Sequence, residues 1–388
     1  MAAVKRVAFL IETSRAYGRG LVRGAARYNR ERARWSVYFQ PHGLDDPPPA
    51  WLKDWQGDGI LARIGSRRVA DAVLQVGVPV VELRGVLLDL ELPLIGVNNR
   101  AVARLATGHL RERGFRNFGF CGLPRGAHPC MDERCDCFKQ VLDEAGFKCN
   151  EFKAGRGRRR RDTWEEEQNK IAEWVAALPK PVGVMTCNDD RGLQLLDACR
   201  RAGVLVPDEV AVISVDNDDY LCGLAIPPLT SIDVLPQRIG YQAAALLDRM
   251  MAGTPPPKQP TLIHPGGIVT RQSTDVLATD DRHVLRAVTF IRDHACRRIQ
   301  VADVLRHVKL SRASLEPRLK KALGRTIHQE IQRVQIERAK ELLTTTEIPI
   351  KHIARRCGFK YVQYMSRVFR QATGSPPARY RKRARGSV

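Results

Sequence analysis

Nothing in the 388-residue chain approaches the roughly 20 consecutive apolar residues that a membrane span requires, which argues against a membrane protein. The first apolar run, Val7 to Ile11, stops at Glu12. That is too short for the apolar stretch of a secretory signal, so a cytoplasmic location without a membrane partner is expected. Cysteine is thin: ten residues scattered along the chain make no dense disulfide framework, and in a reducing cytosol they are expected to be thiols. Cys130, Cys135 and Cys137 lie close together, but their spacing matches no usual zinc knuckle, so neither metal nor cofactor is expected. Acidic residues run out altogether after Glu347. From Arg282 onward 26 Lys and Arg face 7 Asp and Glu, a net of +19 out of +22 for the whole chain, which leaves +3 for the first 281 residues. So lopsided a charge points to a polyanionic partner for one end.

What is present divides the same way. In residues 1–277 short Val- and Ile-rich runs alternate with amphipathic stretches, which is the pattern of a parallel sheet covered by helices on both faces. The alternation restarts at NFGFCGL, and two α/β lobes of about 100 residues fit better than one very wide sheet. Crossings between the lobes are expected near 98–100, 231–236 and 258–262. The basic run GRGRRRR, 155–161, reads as a solvated loop neutralised by Glu165 to Glu167. The polar stretch Ser273 to Arg282 reads as an interdomain linker.

Residues 278–388 show helical periodicity and no strand pattern. A short helix, a turn at Lys309 and Leu310, and a second helix capped by Ser311 and ended by Gly324 make a helix-turn-helix over 300–323. The unit recurs over 350–373, and a helix over 328–345 separates the two. The spaced set Ile350, Ile353, Ala354, Gly358, Phe359, Tyr364, Phe369, Gly374, Pro377, Tyr380 and Arg381 resembles the signature of AraC/XylS-type transcription regulators. That resemblance implies double-stranded DNA as partner. It places Val362, Gln363, Ser366 and Arg367 on a base-reading face, with Gln suited to adenine and Arg to guanine. The matching positions of the first unit are Arg312, Ala313, Ser314 and Glu316, followed by Pro317, which is expected to kink or delay the helix. Arg381 is expected to hold the DNA backbone without reading sequence.

A regulator needs a signal, and two-lobed α/β sheets bind ligands beyond the carboxyl ends of their strands. Asp189 follows VGVMTCN and Asp216 follows VAVISV, with Asn188, Arg191 and Asn217 beside them. Asn98 and Asn99 follow PLIGV, and Tyr17 and Arg19 open the first helix. Carboxylates, amides and guanidinium groups suit the vicinal hydroxyls of a small sugar, although an Asp after a strand can equally be a helix cap. This half resembles the periplasmic-binding-protein-like sensor of LacI-type repressors without their N-terminal DNA-binding headpiece. Stretches such as AFLIETSRAYGRGLVRGAARY and WLKDWQGDGILARI resemble xylose-responsive regulators that join such a sensor to a C-terminal AraC-type domain. The resemblance implies D-xylose as effector and activation of xylose catabolic genes. A homodimer and contact with RNA polymerase are expected as well.

Three other readings compete. A glycosidase could use Asp189 and Asp216 as acid and base, but no catalytic motif accompanies them and hydrolysis needs no +19 tail. A transport binding protein would not carry the basic domain. A regulator could also answer to another pentose or hexose, or use its α/β half only to dimerise.

Overall fold

The computed structural model describes residues 4–41, 43, 46–87, 89–153, 163–275 and 281–384; the basic run 155–161 lies outside them. The chain divides into two units: Met1–Arg111 and Phe115–Val276 make the first, Glu112–Gly114 and Leu277–Val388 the second.

The first unit is two-lobed. Its first lobe starts with β1 (Arg6–Leu10), α1 (Ala16–Tyr28), β2 (Ser36–Phe39), β3 (Gly59–Ala62), α2 (Arg67–Leu74), β4 (Val80–Glu82) and β5 (Ile95–Val97). Strands run parallel in the order β2-β1-β3-β4. Val7 to Leu10 are all buried because both sheet faces are covered, so β1 reads as a continuous apolar run and not as an alternation. The second lobe follows with α3 (Asn99–Glu112), β6 (Asn117–Cys121), α4 (Pro129–Glu144), β7 (Cys149–Glu151), α5 (Trp164–Ala177), β8 (Val182–Thr186), α6 (Asp189–Arg201), β9 (Val210–Val215), α7 (Asp219–Leu224) and β10 (Thr230–Asp233). The chain then returns to the first lobe through α8 (Pro236–Met251) and β11 (Thr261–Ile263), which pairs with β5. Strand β12 (Gly267–Val269) completes a second sheet in the order β12-β10-β9-β8-β6-β7, parallel except for β12.

The lobes are thus joined at Asn98, at Val234–Leu235 and at His264–Gly266. The third crossing falls later than 258–262, because residues 261–263 are still paired to β5. Helix α1, whose start faces the cleft, is held by α8 at backbone contact. A Cβ added at Gly24 would lie 1.9 Å from Gln237 O, and one at Gly240 would lie 2.0 Å from Leu21 O. Any side chain at either position would push α1 and α8 apart.

The linker begins later than the sequence suggests. Ser273 and Thr274 are fully buried in the first unit, where Ser273 Oγ donates to Val212 O (2.6 Å) and accepts from Thr230 N (2.8 Å). Residues 276–280 of the expected linker lie outside the described residues.

The second unit is helical: α9 (Arg282–His294), α10 (Val301–Val308), α11 (Arg312–Leu323), α12 (Ile327–Thr345), α13 (Ile350–Arg356), α14 (Val362–Thr373) and α15 (Pro377–Ala384). Gly324 and Gly374 end α11 and α14 in the left-handed conformation at φ 71° and 73°, and Gly358 makes the second turn at φ 84°. Val304, Leu315, Leu319 and Ile331 centre one small core; Ile353, Phe359, Met365 and Phe369 centre another. Among the described residues no helix is long and apolar enough to cross a membrane.

Candidate functional site

Two lobes bring four side chains together that lie far apart in sequence. Tyr17 stands in the first turn of α1, and the Arg63 guanidinium, just after β3, lies 5.0 Å over its ring. Arg63 is ion-paired to Glu12, which is itself buried. From the second lobe come Arg134, buried in α4, and Asp216, just after β9. Burial raises the Tyr17 hydroxyl above its ordinary range, with the charges of Arg63, Asp216 and Arg134 all acting on it. Burial pushes the Asp216 carboxyl up to about 7, opposed first by Arg134. Arg134 is aimed by Asn99, whose Oδ1 accepts from Arg134 Nε (3.0 Å), and by the carbonyl of Cys187. Two arginines and two carboxylates thus share the cleft, Arg63 paired to Glu12 and Arg134 acting on Asp216.

Asp216 sits on strained backbone. Its φ of 106° is rare for a side chain bearing a Cβ, and Asn217 follows at φ 53°. The strain is held by ties on both sides: Asp216 N donates to Ile232 O (3.0 Å) and Asn217 N to Ser231 Oγ (3.0 Å). The carboxylate itself makes no hydrogen bond to another described residue. A groove of about 830 Å³ lined in part by Arg19, Asp216, Asn217 and Leu235 opens beside it.

Several residues that the sequence assigned to the ligand are occupied elsewhere. Asp189 accepts from Ser231 Oγ (2.6 Å) and Asp218 N (2.7 Å), so it braces the loop that carries Asp216; burial pushes it up to about 6. Arg191 turns away from the cleft: its guanidinium donates to Gly122 O, Glu167 and Gln194 and is buried among them. Arg19 donates to Thr13 O and Ser14 O, fastening its own loop. Asn98 caps α3 through Ala101 N (2.9 Å), Asn188 caps α6 through Arg191 N (3.0 Å), and Asn217 Oδ1 accepts from Arg271 (2.9 Å). Of the expected residues, Tyr17 and Asp216 converge. Arg63 and Arg134 were missed. Arg63 follows a strand as Asp216 does, so the same rule would have found it, whereas Arg134 sits inside a helix and carries no such mark. Beside this cluster His128 Nδ1 lies 2.9 Å from Cys130 Sγ, and Arg84 Nε donates to His128 Nε2 (3.3 Å). Burial, then the Arg84 charge, lowers His128 to about 4, leaving the imidazole neutral near pH 7.

In the second unit α11 starts at Arg312, capped by Ser311 Oγ accepting from Ser314 N (3.2 Å), and runs through Pro317 to Leu323. Pro317 thus neither ends nor delays the helix. Ala313 is exposed and Ser314 partly buried. Arg312 and Glu316 pair with each other (2.5 Å), which occupies the Nε and Nη2 side of the guanidinium. On α14 Gln363 and Arg367 are exposed, and Ser366 is partly buried. Arg367 lies 5.2 Å over the Tyr364 ring. Ser366, Arg367, Arg370, Gln371 and Pro376 line a surface recess of about 520 Å³, which adds Arg370 and Gln371 to the expected face. Val362 instead packs against the second core. Arg381 is partly buried and donates to Ile348 O (2.6 Å), tying α15 to the segment before α13, so at least one of its donors is used within the fold.

Comparison with known proteins fits this arrangement. Residues 107–274 match a periplasmic binding protein-like domain, residues 304–383 a helix-turn-helix domain, and residues 6–92 the XylR N-terminal domain. The chain is 31% identical over 385 residues to the xylose operon regulatory protein of Escherichia coli (strain K12), covering 97% of this chain and 96% of that one. It is 30% identical over 382 residues to the xylose operon regulatory protein of Haemophilus influenzae, covering 97% and 98%. A solved structure described as the xylose-binding transcription activator xylR matches with a TM-score of 0.69 at 30% identity, covering 98% of both chains. The chain therefore belongs to the family of the xylose operon regulatory proteins, DNA-binding and sugar-responsive transcription regulators rather than enzymes.

Proposed function

We propose that this chain binds D-xylose between the lobes of its first unit and, so loaded, activates sugar catabolic genes. The observation that carries the reading is the convergence of Tyr17, Arg63, Arg134 and Asp216 in a charge-balanced cleft, in a chain whose full-length relatives are named for xylose. Asp216 accepts hydrogen bonds from two sugar hydroxyls, Arg134 donates to a neighbouring oxygen, and Tyr17 lays its ring along the sugar while Arg63 holds the ring. Asp189 acts one step back, through the loop it braces.

On DNA, Gln363 and Arg367 read bases from α14 while Arg370 holds phosphate; Arg312, Ala313 and Glu316 form the weaker reader on α11. The protein works as a homodimer in the cytoplasm and meets RNA polymerase at the promoter. Sugar and DNA are linked by a coupling free energy, so each alters the affinity of the other equally. Titration calorimetry with D-xylose, L-arabinose, D-ribose and D-glucose tests the ligand. Saturable binding of D-xylose, with weaker or absent heat from the others, is expected. Preference for another sugar would overturn the effector, and no heat from any would overturn the sugar cleft.

A further inference from the structure

The two reading heads have separate cores, and α12 is the element that contributes to both. Its first half supplies Ile327 and Ile331 to the first core, and its second half supplies Ile336, Ala339, Leu342 and Leu343 to the second. A helix of 19 residues spans ~28 Å, a stiff rod on which each head has its own footing. Nothing in two separate footings fixes the angle between the heads.

A pair of glutamines one turn apart does. Gln335 sits at the changeover between the cores and is 7% exposed. It belongs by sequence to the second-core half, yet its Nε2 reaches back to donate to Ala295 O (3.0 Å), at the end of α9 in the first head. Gln332, in the first-core half, reaches forward: its Nε2 donates to Tyr364 Oη (2.5 Å) on α14, the second recognition helix. The two bonds cross. The turn of the second head closes directly on this latch, since a Cβ at Gly358 would lie 2.8 Å from Ala295 O and 2.9 Å from Gln335 Nε2. A buried amide left without a partner is costly, so Gln335 holds Ala295 O in one geometry, and the partly buried Gln332 adds a short bond to Tyr364 from the other side. Tyr364 also carries Arg367 over its ring, so the latch reaches a base-reading side chain through one residue.

We propose that Gln332 and Gln335 are positioning residues that lock the two heads at one relative orientation, making the spacing between the DNA segments read by α11 and α14 a built-in determinant of specificity. The inference rests on DNA binding by both helices and is independent of which sugar is bound. An inserted base pair turns one segment by about a tenth of a helical turn against the other, which a locked pair of heads does not follow.

The test uses full-length protein and duplexes that the wild type selects from a random library, with versions carrying one or two base pairs inserted between the segments protected by the two heads. Wild type is expected to lose about tenfold in affinity or more per inserted base pair, a loss comparable with a mismatch. The double variant Gln332→Leu, Gln335→Leu keeps the helix and the side-chain bulk. It is expected to lose about threefold or less on the same insertions while remaining within about threefold of wild type on the parent duplex. Gly358→Ala, which forces the same seam apart from the other side, is expected to flatten or shift the spacing profile too. A double variant whose profile stays as steep as wild type overturns the proposal, as does an equal loss on every duplex. A folded Gly358→Ala protein with an unchanged profile also overturns it.

Discussion

Two segments of the second lobe look alike in sequence and do opposite work. TCNDD spans the end of β8 and SVDND the end of β9, and each places an aspartate just past the carboxyl end of a buried parallel strand. Asp189 is consumed by its own fold, with both oxygens occupied by Ser231 and Asp218. Asp216 is strained at φ 106°, its carboxylate makes no hydrogen bond to another described residue, and it feels Arg134 and Arg63 from two other elements. A strand-end position therefore brings a carboxylate to the cleft, and its neighbours decide whether it is used as a brace, as Asp189 is, or left with its oxygens open, as Asp216 is.

The largest effect should come from breaking that contrast at Asp216. Asp216→Ala is expected to lose about 100-fold or more in sugar affinity by calorimetry, because charge-assisted hydrogen bonds are worth roughly 1.5–3 kcal/mol each. Its melting temperature should hold or rise, since the substitution removes a carboxylate that burial disfavours, while the backbone strain at φ 106° stays because alanine also carries a Cβ. Asp189→Ala should do the reverse first. It strands the Ser231 hydroxyl and the Asp218 amide, costing about 1–3 kcal/mol in chemical denaturation, with sugar affinity falling only as the Asp216 loop loosens. Equal effects of the two substitutions on both readouts would erase the distinction.

The same contrast recurs in the second unit between two arginines that both read as DNA contacts. Arg367→Ala is expected to cost roughly 1–3 kcal/mol of discrimination at one base while leaving random-sequence binding nearly intact. Arg381→Ala removes the tie to Ile348 O, so it should lower thermal stability and weaken binding to all duplexes alike. A salt-dependence slope unchanged in Arg381→Ala would mark it as a structural residue, and a slope reduced by about 1 would restore it to the phosphate backbone.

The smallest effect is pH-dependent. Asp216 is raised from 3.8 to about 7, so the folded protein holds that proton more tightly than the unfolded chain. The stability it contributes is present below about pH 4 and is lost as pH rises to about 7. Ligand binding runs the other way, because the ionised carboxylate is the form that accepts two hydroxyls. Sugar affinity should therefore increase from pH 5.5 to 7.5, and Asp216→Asn should reduce both slopes, leaving in the stability profile the share of Asp189, which is raised to about 6.

Much of the fold was legible because its signals are local. Apolar runs such as Val7 to Leu10 and Val210 to Val215 are buried on both faces, and Gly324, Gly358 and Gly374 sit where left-handed turns require them. The site was legible only in part. Asp216 and Tyr17 lie at element ends where position alone predicts exposure to a cleft. Arg134 lies within α4, and it enters the cleft because Asn99 and the Cys187 carbonyl aim it there from another part of the chain. Arg191 and Arg381 show the converse. Their charge suggested ligand and phosphate, but a guanidinium can equally be spent on backbone carbonyls, and sequence does not reveal which carbonyl lies within reach.

The most direct test of the account is the affinity of the full-length protein for its selected DNA with and without saturating D-xylose, measured at fixed salt. Sugar is expected to change DNA affinity by roughly 5–150-fold, with the same factor appearing in xylose affinity when DNA is bound. That change should vanish in Asp216→Ala. Identical DNA affinity in the presence and absence of saturating D-xylose would contradict it.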